Sequence, residues 1–438
     1  MSDNIEKKAL GAITADERQG WTGIAFIWIG VMICVPMLMV GALMIAGMTL
    51  GTVILVTAIG FAICCAVMIF TGLQGTDLGL PAVMCASKAF GNAGARIVVS
   101  LVLAIAQFGW FGVQTAACGL AFSELMRIAF AVDFPFWLSA LIWGIVMLST
   151  AVTGFKFMKI LNYIAVPALV IFCVYGVISA ISTYGANNLF AYQPPQAIPV
   201  LSGISIMIGL FAVGTVINAD FTRYAKSRGD TIKASLLGVL PAAILMIAVG
   251  AIMALVAGQY DITKVFASMG LPVIGMIVLI LATWTTNTGN AYTAGLAVMR
   301  LFNIKDEKRP LVTAICGGLG TILAMVGVMG LFEQFLGLLG AAIPPIAGVM
   351  LADYWIFGKG KKENWKQVSG FNWIGIISWL AASVIALTVT IFSKALDAIV
   401  IAVVLYSALN LLFGKTVLAG MRMREAAVQE SSGEVKEA

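Results

Sequence analysis

The chain contains no histidine, and only 11% of its residues are charged. Without imidazole there are no His-ligated metals, histidine-based triads or histidine proton relays. Such a low charge is also atypical of a soluble domain. No carboxylate sits deep in an apolar stretch. Asp77, Asp220, Asp230 and Asp353 lie near one set of stretch ends, and Glu124, Asp133, Asp261, Glu333 and Asp397 near the other. A carboxylate proton relay is therefore unsupported. The seven cysteines, Cys34, Cys64, Cys65, Cys85, Cys118, Cys173 and Cys316, show no metal-type spacing and read as small packing residues. Nothing suggests a soluble domain either, since the longest loops between spans, Gly185–Pro199 and Trp355–Asn372, are short.

What the chain does have is apolar length. Apolar residues make up 61% and mean hydropathy is +1.03, which excludes a soluble enzyme, a nucleic-acid binder, a disulfide scaffold and a disordered protein. A bilayer-spanning helix takes roughly 20 mostly apolar residues, and the sequence divides into twelve such spans. The first six are Trp21–Thr49, Gly51–Leu73, Ala95–Ile128, Pro135–Val152, Phe157–Ser182 and Val200–Arg223. The second six are Ala234–Ala257, Leu271–Leu301, Leu311–Leu331, Phe335–Tyr354, Trp373–Phe392 and Ala395–Phe413. The first span is too long, and lacks the small-residue cleavage site, to read as a removable signal peptide. The ends, Met1–Asp16 and Glu425–Ala438, read as polar tails without order.

Charge placement orients the spans. With the N-terminus inside, only Arg127, Lys264 and Lys394 of the 26 lysines and arginines fall outside. The positive-inside rule asks for such an asymmetry, so both termini are expected in the cytoplasm. The net charge of +6 is then topology rather than affinity for a polyanion.

Inside lipid, polar side chains and broken helices are tolerated chiefly where they face protein or a water-filled cavity. The first span carries Gly30-Val-Met-Ile33-Cys34-Val-Pro36, and Pro36 cannot donate a helical hydrogen bond. The sixth carries Gly209-Leu210-Phe211-Ala-Val213-Gly214. Breaks in spans one and six would match two five-helix inverted repeats with a site at the midplane. Pro167, Pro241 and Pro344–Pro345 mark further kinks or breaks. Spans three and eight each pair an amide with a tryptophan on one helix face: Gln107 with Trp110, and Asn287 with Trp284. Two readings stand. A flat heterocycle would stack on the ring while the amide reads its edge, or the amides join helices and the tryptophans pack. Thr285 and Thr286 are likewise either ligands of a Na⁺ ion, alongside unwound backbone carbonyls, or hydroxyls bonded back to their own helix.

With these residues the chain resembles the nucleobase–cation symporter family of purine and cytosine permeases, in particular its cytosine permease branch. The matching blocks are Gln107-Phe-Gly-Trp110-Phe-Gly112, Asn218-Ala-Asp220-Phe-Thr-Arg223-Tyr224, Trp284-Thr-Thr-Asn287 and Ala342-Ile-Pro344-Pro345-Ile-Ala-Gly348-Val-Met-Leu-Ala352-Asp353-Tyr354. They fall in order across spans three, six, eight and ten.

The resemblance implies an all-α integral membrane protein of twelve transmembrane helices with a LeuT-type 5+5 inverted repeat. Repeat one would cover residues 21–184, repeat two 200–354, and two extra C-terminal helices 373–413, between cytoplasmic tails 1–20 and 414–438. It implies Na⁺-coupled nucleobase import across a bacterial inner membrane, cytosine being the leading substrate and H⁺ the less supported ion. Trp110 and Phe211 would sandwich the base, and Gln107 and Asn287 would read its edge. Na⁺ would sit among carbonyls of Gly30, Ile33 and Ala282 and the hydroxyls of Thr285 and Thr286, with Val31 and Cys34 as a one-residue alternative in span one. Leu210 and Val213 stand where the cytosine branch tends to have serines, and Ala282 where it tends to have asparagine. The pocket is thus more apolar than in that branch, which opens the substrate to other purines, pyrimidines and related heterocycles.

A membrane-embedded enzyme would need carboxylates, histidines or cysteines gathered at membrane depth, and none is apparent. A carrier is the better reading. An uncoupled uniporter differs from a symporter in predicting flux without Na⁺ dependence. A monomer suffices for either, with substrate and lipid as the expected partners.

Overall fold

The computed structural model describes residues 12–153 and 155–434, with side chains described outside 153–160, 162, 306 and 415–434. The basic residues Lys7 and Lys8 and the chain ends 1–11 and 435–438 lie outside the described residues, as do the side chains of Lys156, Lys159, Lys415, Arg422 and Arg424. Every named element is helical.

Span one is two helices, α1 (Trp21–Met32) and α2 (Val35–Ile45), bent by 54° at the break. Proline explains the break. Pro36 has no N–H for the Met32 carbonyl, and that carbonyl accepts from Cys34 N–H instead, at 2.9 Å. In a regular helix Cys34 would bond to Gly30, so the Gly30 carbonyl loses its usual donor. Span two is α3 (Leu50–Leu78), begun by the Thr49 hydroxyl accepting from Thr52 N–H and ended by Gly79 at φ +68°. Then follow α4 (Asn92–Phe130), α5 (Phe136–Thr153), α6 (Phe155–Tyr184), α7 (Val200–Thr222) and α8 (Arg228–Ala257). Beyond a short α9 (Ile262–Ser268) come α10 (Pro272–Phe302) and α11 (Arg309–Met325). Span ten is α12 (Phe332–Ala342) and α13 (Pro344–Leu351), running into a π-helical turn at Ala352–Phe357, before α14 (Trp373–Thr388) and α15 (Lys394–Glu434).

Among the described residues, eight helical stretches, one of them the continuous Val328–Phe357 that holds α12, α13 and the π turn, or nine with the bent pair, are long and apolar enough to cross a membrane. Three shorter apolar helices, Phe136–Val152, Arg309–Met325 and Trp373–Thr388, fall where the sequence places spans four, nine and eleven.

Three expectations change. Span six is unbroken: α7 runs continuously from Val200 to Thr222. Its glycines serve close packing, because a Cβ at Gly209 would strike the Leu336 carbonyl and one at Gly214 the Phe211 ring. Without a proline, nothing removes a donor from the α7 ladder. The N-terminal tail is ordered from residue 12. Ile13 is buried and its N–H donates to the Gly79 carbonyl at 2.9 Å, while Gln19 N–H donates to the Tyr224 carbonyl at 2.7 Å. At the other end α15 continues helically through residue 434, in a segment rich in Ala, Glu, Arg and Met, all good helix formers.

Two packed groups organise the chain. In one, α8 lies on α1, α2 and α3, and α7 lies on α3. In the other, α4 is the axis, packed on α10, α11 and α5. Small residues let backbones meet in the first group: a Cβ at Gly41 of α2 would strike the Ile247 carbonyl, and one at Gly250 of α8 would strike the Leu38 carbonyl. The first group also shares one polar residue. Asn218, fully buried on α7, accepts from Trp28 Nε1 of α1 at 3.1 Å and donates to the Met68 carbonyl of α3 at 2.6 Å and to Ser235 Oγ of α8 at 2.9 Å.

The face bearing the basic loops is pinned by the π turn. Tyr354 donates to Asp77 at 2.8 Å, and Arg228 holds the same carboxylate through Nε at 2.8 Å and Nη2 at 2.6 Å. The neighbouring Asp353 meets Lys88 at 3.3 Å and accepts from Tyr406 at 2.9 Å.

Asn218→Ala removes hydrogen bonds to three helices and strands the buried Trp28 indole N–H, while the Met68 carbonyl keeps the Thr71 hydroxyl. A stranded group costs about 1–3 kcal/mol, so the variant is expected to unfold several degrees below the parent in detergent. Equal melting temperatures would refute the role of Asn218 as the shared anchor.

Candidate functional site

One face of α4 carries Gln107, Trp110, Gln114 and Ala117, spaced three and four residues apart. Trp110 is 7% exposed. Its indole meets Phe332 and Phe335 in the first turn of α12 edge-on, at 6.2 and 5.3 Å between centroids. The Phe335 ring lies where a Cβ on Gly109 would stand, so glycine at that position is what lets α12 close over the tryptophan. Gln107 is half-buried one turn away, with no hydrogen bond among the described residues. On the other side of Trp110, Gln114 is 1% exposed and its buried Oε1 has no partner.

Gln114 was not singled out from the sequence. Its spacing, four residues beyond Trp110, was the signal that could have found it. A buried amide oxygen without a donor costs about 1–3 kcal/mol, and its place beside an indole is where a planar ligand's N–H groups would meet it.

The α10 pair turns the other way. Asn287, fully buried, donates to the Phe111 carbonyl at 3.0 Å, to Thr115 Oγ1 at 2.9 Å and to Met147 Sδ at 3.2 Å. Trp284 donates to Thr150 Oγ1 at 3.0 Å and meets Trp143 edge-on at 5.6 Å. Of the two sequence readings, interhelical joining describes this pair: it holds α10 to α4 and α5.

Phe211 is buried on α7 against Trp28 at 5.5 Å and Phe61 at 5.6 Å. Its ring thus packs on α1 and α3, while Trp110 packs on the α12 segment. Leu210 is buried and Val213 half-buried on the same helix.

The Thr285 and Thr286 hydroxyls both donate to one oxygen, the Ala282 carbonyl, at 2.9 and 3.1 Å. That is the back-bonded arrangement, and it also gathers three oxygens at one place on α10. This helix touches α2, just past the break. On the α1 side Gly30 is exposed and Ile33 half-buried. Among the described residues no group of three or more His, Cys, Asp or Glu is arranged to hold a metal. Any cation here would therefore be held by hydroxyls and carbonyls, a donor set suited to a hard monovalent ion.

Comparison with known proteins bears on the family and the fold. The family model described as permease for cytosine/purines, uracil, thiamine, allantoin matches residues 12–413. A cytosine permease of Escherichia coli strain K12 is 27% identical over 382 residues, covering 84% of this chain and 86% of the relative. A hydantoin permease of Microbacterium maritypicum is 26% identical over 407 residues, covering 84% and 81%. Among solved structures, the inward-facing conformation of Mhp1 superposes with a TM-score of 0.82 at 22% identity, covering 93% of this chain and 94% of that one. A closed conformation of the same transporter, a nucleobase-cation-symport-1 protein with bromovinylhydantoin bound, gives 0.77 at 21% identity, covering 92% and 95%. The fold is thus the LeuT-type transporter fold expected from the sequence, and the relatives are permeases rather than enzymes. With the family model matching nearly the whole length, this multi-pass membrane protein belongs to the family of permeases for cytosine/purines, uracil, thiamine and allantoin.

Proposed function

We propose that the protein imports a nucleobase, cytosine first among the candidates, by Na⁺ symport across a bacterial inner membrane with both termini in the cytoplasm. The observation that carries the substrate reading is the α4 face: two glutamines whose side chains have no hydrogen-bond partner among the described residues flank Trp110, and Phe332 and Phe335 of α12 cover its indole. Trp110 supplies a stacking surface, with Phe211 across from it on α7 once α12 withdraws. Gln107 and Gln114 read the polar edge of the ring, each amide offering a donor and an acceptor. Asn287 acts by holding α4 against α10 rather than by reading the base.

Na⁺ is assigned to the Gly30 and Ile33 carbonyls of α1, the Ala282 carbonyl and the hydroxyls of Thr285 and Thr286. Those threonines would turn their protons away from Ala282 and present lone pairs to the ion. This set spans both helix groups, with α1 in one and α10 in the other. An ion held between them is sensitive to how the groups sit, and so is a base stacked between α4 and α7. Each ligand then favours the arrangement that the other needs, and the coupling is reciprocal. Gradient-driven uptake follows from a weaker grip on substrate when the ion is gone. One chain supplies every residue, so a monomer suffices.

Leu210 and Val213 favour a second substrate reading. They place apolar side chains where a hydroxyl would discriminate one base edge, and a site short of partners separates analogues weakly. A less polar ring such as a hydantoin would then compete with cytosine.

Thermal unfolding of purified protein with cytosine, uracil, adenine, hydantoin or allantoin, each in Na⁺ or choline, tests both readings. Stabilisation by cytosine only in Na⁺ is expected. A Na⁺-dependent response to hydantoin alone would move the substrate and keep the mechanism, and equal responses in choline would remove Na⁺ coupling. Base–aromatic stacking contributes about 1–3 kcal/mol. Trp110→Ala should therefore weaken base affinity about tenfold or more, measured by isothermal titration, without lowering the melting temperature of the unliganded protein by a comparable energy. The paired change Thr285→Ala with Thr286→Ala should abolish the Na⁺ dependence of base binding, and an unaltered Na⁺ titration would exclude these hydroxyls.

A further inference from the structure

On the face bearing the basic loops, a cavity of about 550 Å³ opens between four segments distant in sequence. Arg18 enters from the N-terminal segment, Lys226 and Arg228 from the turn before α8, and Lys361 and Lys362 from the loop after the π turn. Among the described residues, Asp77 and Glu363 are the only carboxylates in its wall. Asp77 is already neutralised by the two-point contact with Arg228 and the Tyr354 hydroxyl. Four cations therefore face Glu363 alone. Arg18 is held in place, since its Nη1 donates to the Ala225 carbonyl at 3.3 Å.

One shoulder of this cavity is apolar and faces outward. The Arg228 guanidinium stacks 5.5 Å over Trp355, whose Nε1 donates to the Phe70 carbonyl at 3.2 Å. Phe70 meets the Trp355 ring at 5.3 Å and is 45% exposed, and Ile356 is 53% exposed. Tryptophan settles at the boundary between hydrocarbon and water. The cations thus lie beside exposed apolar side chains, the pairing that a charged headgroup and its acyl chain require.

We propose that this cavity binds an anionic phospholipid. The phosphate lies among Arg18, Lys226, Lys361 and Lys362, and an acyl chain runs over Phe70 and Ile356. Attraction of a basic cluster to anionic headgroups explains the charge, and the apolar shoulder selects a lipid over a free phosphate. The bound lipid adds a further link among α3, the turn before α8 and the loop after the π turn, beside the contacts of Asp77 with Arg228 and Tyr354, of Arg228 with Gly360 and of Trp355 with Phe70.

The test is thermal unfolding of delipidated full-length protein titrated with dioleoylphosphatidylglycerol, dioleoylphosphatidylcholine or inorganic phosphate. Phosphatidylglycerol is expected to stabilise saturably, and phosphatidylcholine or phosphate at equal concentration to do much less. Each basic group contributes about fivefold in affinity at an anionic surface. The variant K226Q/K361Q/K362Q should therefore lose about 100-fold in phosphatidylglycerol affinity. These three side chains are exposed, so its melting temperature in phosphatidylcholine should match the parent. K305Q/K308Q, which alters exposed lysines of another basic loop outside this cavity, should keep parental affinity. Three results overturn the proposal: equal stabilisation by the two lipids, full stabilisation by phosphate alone, or equal effects of the two lysine variants.

Discussion

A backbone N–H or C=O inside a bilayer has no water to bond, so the fold depends on satisfying every such group within protein. Helices follow at once, and so does the placement of the exceptions. The 54° break between α1 and α2 is tolerated because the Met32 carbonyl, deprived of a donor by Pro36, takes the Cys34 N–H. The carbonyl that this releases, at Gly30, lies at the break, and the oxygens gathered by Thr285 and Thr286 lie on the helix that touches α2 just past it.

A second consequence concerns how the helices are held together. Apolar contact gives little drive for one helix to prefer another over lipid, so small residues and buried amides decide the partners. Asn218 joins α7 to α1, α3 and α8, and Asn287 joins α10 to α4 and α5. Each group has its own amide anchor, and neither anchor bonds to the other group. Such an arrangement lets two bodies stay intact while the surface between them changes, which is the property an alternating-access carrier needs. Trp110, with a glutamine on either side of it along α4, is covered by Phe332 and Phe335 of α12.

Much of this was legible in the chain, for reasons that differ by residue. Pro36 announced the first break because a missing hydrogen-bond donor is a property of the residue itself. The glycines of span six carried no such certainty. Gly209 and Gly214 suit an unwound turn or a close helix contact equally well, and only the neighbours Leu336 and Phe211 show which applies. Gln107 and Asn287 looked alike in sequence, each an amide three residues from a tryptophan. The structure separates them by partner: Asn287 has used both its amide protons, and Gln107 has used none among the described residues. Gln114 escaped notice although helical spacing put it on the Trp110 face, because a glutamine in a span signals burial but not whether it is satisfied.

The sequence by itself determined the class of the molecule: a many-span helical permease. Hydropathy and charge asymmetry act through solvent, and solvent is the same whatever the neighbours are. Tertiary structure alone decided which polar groups serve the fold and which are left for a ligand. Hydrogen bonds are short and directional, so their assignment depends on atoms that sequence spacing does not bring together. Asn218 reaches Trp28 across 190 positions, and Asn287 reaches Phe111 across 176.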